Sequence, residues 1–404
     1  MKTILSILFL CSLSSNLHAQ AGVTAVPFLT ISQSPQLTAV GSAGVAFQSS
    51  DPLMALQNPG QIHAFESDLS LRLSGYHSDW MPELSGDLFL DTKGLLVGYR
   101  LEGLSGLPVS VQLTLNEVYL DLGEDDEHNN TIGQFVSWER ARTATVSLNY
   151  RWIADWSVGF SLSNVYSKLG RTESGKDKIA DVNTTGFGVS TRLPIHEWFE
   201  TERPSGSYAE YFITLGGSVI NIGDMVHYVD ENQKDPLPTQ AKMGYSCLFR
   251  YHEKIRDQDF TLFEGQWTAE ASDLLVKKKD SVTAVYDEWP GDLRVIDHVV
   301  MLQDGPRVRI SQGYAFGLFE TITVFGGRYD EDGYNGSVYS EGYELSSRGF
   351  FKLLSSYVDQ PVLKQILLTT HVSWAQSKLS HKEAYHPLQD TRMSGLQLST
   401  GFTF

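Results

Sequence analysis

The residue groups that could do chemistry are few, and each lacks the spacing its chemistry needs. Gly244-Tyr245-Ser246-Cys247-Leu248 holds a Ser where a nucleophile elbow has one, but not the second Gly that closes the strand-to-helix turn. His196-Glu197-Trp198-Phe199-Glu200 begins like a zinc-binding helix and lacks its second His. His381 and His386 are five apart, poor spacing for a shared ligand face. Glu124-Asp125-Asp126-Glu127 and Asp330-Glu331-Asp332-Gly333 are acidic enough for a divalent cation. Neither has the alternating ligands of a Ca²⁺ loop, so both read as solvated loops. Lys277-Lys278-Lys279 reads the same way. Cys247 fits strand alternation and reads as a packing residue rather than a nucleophile. No Gly-rich phosphate cradle joins a strand to a helix. A Ser/His pair assembled from distant strands is the one arrangement that leaves no local trace. The sequence therefore calls for no catalytic residue, no metal and no cofactor.

The elements that carry these residues are exported. Residues 1–19 read as a signal peptide: Lys2 is the positive start, Ile4–Cys11 the apolar core, and Leu17-His18-Ala19 a cleavage site. Beyond it Cys247 is the one cysteine, so no disulfide framework holds the chain. No later segment is long and apolar enough for a spanning helix. Aromatic residues make 11% of the chain and charged residues 20%, a balance that suits strands alternating between lipid and lumen. A net charge of −17 argues against nucleic acid as a partner.

Residues 20–66 are not strand-like. Pro27, Pro35, Pro52 and Pro59 punctuate them, and Asp51-Pro52 opens a short helix that ends at the Asn58-Pro59-Gly60 turn. From 67 to 404 the pattern changes to alternating segments separated by turns. They are Leu69–Leu73, Gly94–Leu101, Val109–Tyr119, Ala144–Trp152, Trp156–Ser167, Thr185–Leu193 and Tyr211–Asn221. Ala241–Tyr251, Phe260–Glu270, Val308–Phe316, Thr321–Arg328, Tyr343–Phe351, Ile366–Lys378 and Gly395–Phe404 follow. Short connections alternate with long polar ones, except that 194–210 and 352–365 exceed the pattern. The expectation is an all-β fold: an up-and-down antiparallel transmembrane β-barrel of about 14 strands, with residues 20–66 as an N-terminal plug. Tyr150, Trp152, Trp156, Trp267, Trp374 and Tyr385 suit an interfacial girdle; Trp289 does not. In the last strand Leu396, Leu398, Phe402 and Phe404 share one face and Gln397, Ser399, Gly401 and Thr403 the other. That strand should close the barrel against Leu69–Leu73, with Phe404 as its terminal aromatic.

Three stretches resemble the PorV/PorQ family of outer-membrane proteins, whose fold is similar to the FadL-type fourteen-stranded barrel. The first runs from Phe28-Leu29-Thr30-Ile31 through Val40-Gly41-Ser42-Ala43-Gly44 to Asn58-Pro59-Gly60. The second is Asn221-Ile222-Gly223 followed by Leu237-Pro238 and a strand. The third is the C-terminal strand ending on Phe404. Gly60 stands where the family has Ala, and 271–307 has no family counterpart. The resemblance implies a non-catalytic protein of the cell outer membrane. It would act in type IX secretion or surface attachment by binding the C-terminal domains of exported cargo, alongside other secretion components and membrane lipid. The FadL side of the resemblance implies instead a transporter of hydrophobic small molecules. A soluble periplasmic all-β protein is the third class. Loops 222–240 and 271–307 are the expected binding surface.

Overall fold

The structure, a computed structural model, describes residues 24–62, 67–102, 106–125, 135–172, 175–199, 206–230, 234–256, 258–279, 283–305, 307–330, 337–383 and 385–403. The expected signal peptide, residues 1–19, lies outside the described residues, as do Asp126, Glu127, Glu331–Gly333 and Phe404.

Period-two alternation produces long strands. They are β1 Leu69–Asp79, β2 Phe89–Arg100, β3 Val109–Asp125, β4 Phe135–Arg151, β5 Asp155–Arg171, β6 Asp177–Pro194, β7 Ser207–Gly223 and β8 Gln240–Ile255. Next come β9 Gln258–Leu274, the short pair β10 Val276–Lys278 and β11 Ala284–Tyr286, then β12 Val308–Leu318, β13 Ile322–Asp330, β14 Ser337–Ser346, β15 His371–Ser380 and β16 Arg392–Phe402. All except β10 and β11 pair antiparallel, neighbour to neighbour, in one closed barrel of fourteen strands. Closure leaves no unpaired sheet edge. The closing pair is β1 with β16, in register from Leu69 opposite Phe402 to Asp79 opposite Arg392.

The side chains sort by face. On β4, Thr143, Thr145, Ser147 and Asn149 point inward and are buried, while Arg142, Ala144, Val146, Leu148 and Tyr150 point out. The outer face is apolar around the barrel, with Leu73, Leu115, Val158, Val189, Phe316 and Leu396 all exposed. No described helix is long and apolar enough to span a membrane. A closed barrel with an apolar outside and a polar inside is the spanning architecture built from strands, because every ladder group is paired.

The two rims differ. The near rim, where the barrel begins and ends, carries the tight turns 152–154 and 319–321, the short connection between β8 and β9, and the longer connections 195–206 and 347–370. The last holds the helices Arg348–Ser355 and Pro361–Thr369. Alternation there predicts strands to Phe351 and from Ile366. An apolar helical face and a strand share short apolar runs, and Pro361 at the first helical turn decides for helix. The far rim carries 275–307, with β10, β11 and the π-helix Val295–Val300. Strands β3 to β9 have 16 to 18 residues, against 9 to 12 for the other barrel strands. A span needs about 9–11, so one side of the wall stands proud of the other.

Candidate functional site in the filled lumen

Residues 24–62 run through the barrel interior. The short helices Pro27–Thr30, Pro35–Ala39 and Pro52–Leu56 each start at a proline, whose missing N–H needs no partner there. Ser34 caps the second through the Leu37 amide at 3.3 Å, and Asp51 caps the third through the Leu53 amide at 3.0 Å. Between them the chain is small residues, so its backbone presses directly on the wall.

That wall is built to receive it. A Cβ on Gly159 would strike the Pro59 carbonyl, and one on Gly188 would strike the Asn58 side chain. On the opposite wall, Gly313 and Gly327 leave room for the backbone of Val40 and Gly41. Glycine inside a strand marks this kind of close backbone approach. Polar contacts then fix the register. Asn58 Nδ2 donates to the Val45 carbonyl (2.8 Å), the Val189 carbonyl (3.1 Å) and Ser190 Oγ (3.0 Å). Its Oδ1 accepts from the Gly60 amide at 2.9 Å. Ser218 Oγ donates to the Gln57 carbonyl (2.7 Å), Thr92 Oγ1 to the Gln33 carbonyl (2.8 Å) and Ser340 Oγ to the Ala39 carbonyl (2.9 Å). Gln397 Nε2 donates to the Ser50 carbonyl at 3.0 Å.

A charged pair lies at the centre of these contacts. Lys242 Nζ is 3.3 Å from Glu270 Oε1, and both side chains are buried. Glu270 Oε2 accepts from the Val45 amide at 2.8 Å, and Lys242 donates to Gln57 Oε1. The pair thus holds both ends of residues 45–57. Above it the filling is apolar: Val26, Phe28 and Leu53 pack with Leu90, Val118 and Val165 of the wall and with Val226 and Leu237 of loop 224–239. Beside them a cavity of about 30 Å³, lined by Phe28, Leu29, Leu56, Thr184 and Asn221 among others, has room for roughly one or two waters.

The residues singled out from sequence fall into two places on this wall. Asn58, Pro59 and Gly60 sit against β5 and β6 as described. Asn221 is left-handed (φ 60°) where β7 bulges against β6. Its Nδ2 donates to the Pro238 carbonyl at 3.2 Å, and its own carbonyl accepts from Thr239 Oγ1 at 2.8 Å. Ile222 points outward, and a Cβ on Gly223 would press on Leu237 and the Asn183 carbonyl. Leu237 is fully buried and its amide donates to Tyr286 Oη at 2.9 Å. Loop 222–240 is therefore drawn inward at both ends rather than standing free, with Ala25 N donating to the Pro236 carbonyl at 2.9 Å. Cys247 faces outward and is exposed instead of packed. His381 and His386, five apart, stack at 4.1 Å because the loop doubles back. Each Nδ1 accepts a backbone amide, and no cluster of three metal-ligating side chains occurs among the described residues. The sequence reading missed Lys242, Glu270 and the wall glycines. Inward-facing Gly at Gly159, Gly188, Gly313 and Gly327 was the available signal.

No protein-family model and no curated protein matches the chain. Solved structures similar to it include the toluene transporter TbuX of Ralstonia pickettii, at 9% identity and TM-score 0.40, over 91% of this chain and 98% of that one. A Pseudomonas aeruginosa FadL homologue aligns at 8% identity and TM-score 0.37, over 92% and 99%. CdiB from Acinetobacter baumannii aligns at 9% identity and TM-score 0.38, over 83% and 60%. Likenesses of that size carry no functional argument, and the barrel stands on its own strand pairing. Fold and interior define a closed, filled, fourteen-stranded membrane barrel.

Proposed function

We propose that the chain is a non-catalytic barrel of the outer membrane, stoppered by residues 24–62, that binds protein at its far rim. This is the role its PorV/PorQ-like stretches imply: type IX secretion or surface attachment, with the C-terminal domains of exported cargo as partners. The observation that carries it is the filled lumen. A cavity of about 30 Å³ is far below the roughly 300–1,000 Å³ of a small-molecule site, whereas the described part of loop 275–307 at the far rim is held by ion pairs. Arg307 ties loop 275–307 together, 2.7 Å from Asp287 Oδ2, 3.6 Å from Asp273 Oδ1 and 3.7 Å from Asp292 Oδ2. The binding surface is assigned to this loop rather than to the inward-drawn 224–239. The test is co-purification of the detergent-extracted barrel with a cargo C-terminal domain. Binding lost when 283–305 is replaced by a Gly/Ser linker supports the reading, and equal recovery with the replaced loop refutes it.

A second reading, a FadL-like transporter of hydrophobic small molecules, draws on the apolar lining of Phe28, Leu29 and Leu56 beside the interrupted β6–β7 ladder. It expects proteoliposomes to take up a hydrophobic tracer, with loss of uptake when Phe28 is changed to Asp.

A further inference from the structure

The outer wall of β1 to β6 departs from a plain lipid-facing surface. Leu73, Leu95, Leu115, Ala144 and Leu162 are cross-strand neighbours in one apolar row. The next outward row toward the far rim is Lys93, Glu117, Arg142, Asn164 and Asn183, again neighbour to neighbour. Still further out comes an aromatic strip. Phe89, Tyr119, Trp138 and Tyr166 have successive ring centroids 6.1, 5.9 and 4.9 Å apart. Aromatic strips mark the membrane–water interface of such barrels. The charged row thus lies on the membrane side of the girdle, where a Lys or Arg facing acyl chains is costly.

The wall carries a shallow, open depression here. A groove of about 980 Å³ is lined by the apolar row and the polar row together. Opposite it, inside, Pro52 packs on Gly94 and its carbonyl accepts from Asn116 Nδ2 at 3.3 Å, so the inner segment and the dented wall meet. The groove's floor is apolar and its upper edge carries net positive charge. Arg142 Nε donates to Glu117 Oε2 at 2.7 Å, and Lys93 stands across the ladder from the same Glu117 without an ion pair to it.

We infer that this groove holds one phosphate-bearing lipid of the surrounding leaflet, its chains on Leu73–Leu162 and its phosphate between Lys93 and Arg142. The occupant follows from the chemistry. An apolar bed continuous with the lipid belt takes acyl chains, and two cations above it take an anionic head, in charge-assisted hydrogen bonds. The floor spans five strands at about 4.8 Å each, wide enough for more than one chain. A protein segment would need backbone partners that this paired wall does not offer.

The test is native mass spectrometry of the full-length, detergent-extracted protein titrated with phosphatidylglycerol or with diacylglycerol. Retention of one phosphatidylglycerol, and of diacylglycerol roughly tenfold more weakly, is expected from the loss of charge-assisted contacts. Lys93→Gln makes no broken pair and should erase most of that preference; Arg142→Gln should act with it. Ala144→Trp, which fills the floor, should lower retention of both lipids while heat-modifiable migration confirms the folded barrel. Equal retention of the two lipids, or retention unchanged in Lys93→Gln, overturns the assignment, as does a bound protein in place of lipid.

Discussion

At the scale of single residues the interior turns on Lys242 and Glu270. Each alone would be a buried unpaired charge, and truncating one partner of such a pair leaves the other uncompensated. Lys242→Met is expected to destabilise the seated segment by about 3–5 kcal/mol. Adding Glu270→Gln should restore much of that, because the double variant leaves no lone charge. The readout is the midpoint temperature of heat-modifiable migration together with protease access to residues 24–62. A double variant no better than the single one would sink this account. Gly188 provides the steric counterpart. Gly188→Leu puts a side chain where Asn58 sits, so the segment should become protease-sensitive while the barrel, whose ladder is untouched, still forms.

At the scale of elements, two tethers hold the rims. Glu320, in the β12–β13 turn, lies 3.0 Å from Arg348 Nε and 2.9 Å from Lys352 Nζ, and accepts from the Thr261 amide at 2.7 Å. Burial pushes its carboxyl up, but Arg348 and Lys352 outweigh burial and hold it below the usual glutamate range. The depressed value means the tether contributes above the unfolded carboxyl's pKa of about 4.3 and fades as pH falls through the lower folded value. Amide exchange in 347–370 should therefore quicken below about pH 4, and Glu320→Gln should quicken it at neutral pH. At the far rim Lys277, then Arg307, hold the Asp287 carboxyl at about 2. The sign is the same, so the clip on loop 275–307 should survive at pH 4 and open only as pH approaches about 2. Tryptophan fluorescence at Trp289, exposed on this loop, would report the opening. No change in that fluorescence between pH 4 and about pH 2 would contradict the assignment. Neither tether was legible in the sequence, because Glu320 with Arg348, and Asp287 with Arg307, are joined by turns whose paths no local pattern encodes. The strands were legible, since alternation is local and each ran on past its apolar core only where polar residues kept the same parity. The helices of 347–370 were read as strand ends because their apolar runs are too short for periodicity to separate 2 from 3.6.

At the scale of the whole molecule, an even strand number, closure of β16 on β1 and the contrast between inward and outward faces were all present in the alternation. What the sequence could not show is that 24–62 fills the lumen instead of lining one end, since that depends on glycines from strands far apart in the chain. The filling makes a prediction about conduction. A fourteen-stranded barrel with its interior emptied has room for water and ions, as larger barrels do. With the segment seated, residues 24–62 occupy that space. The full-length protein in planar bilayers should therefore show no steady large conductance. A variant lacking 24–62 should conduct in stable steps, and Gly188→Leu should flicker between the two as the segment unseats. Stable large conductance from the unaltered protein would mean that the seated segment does not seal the lumen, and would move the balance from a stoppered binding platform to a transporter.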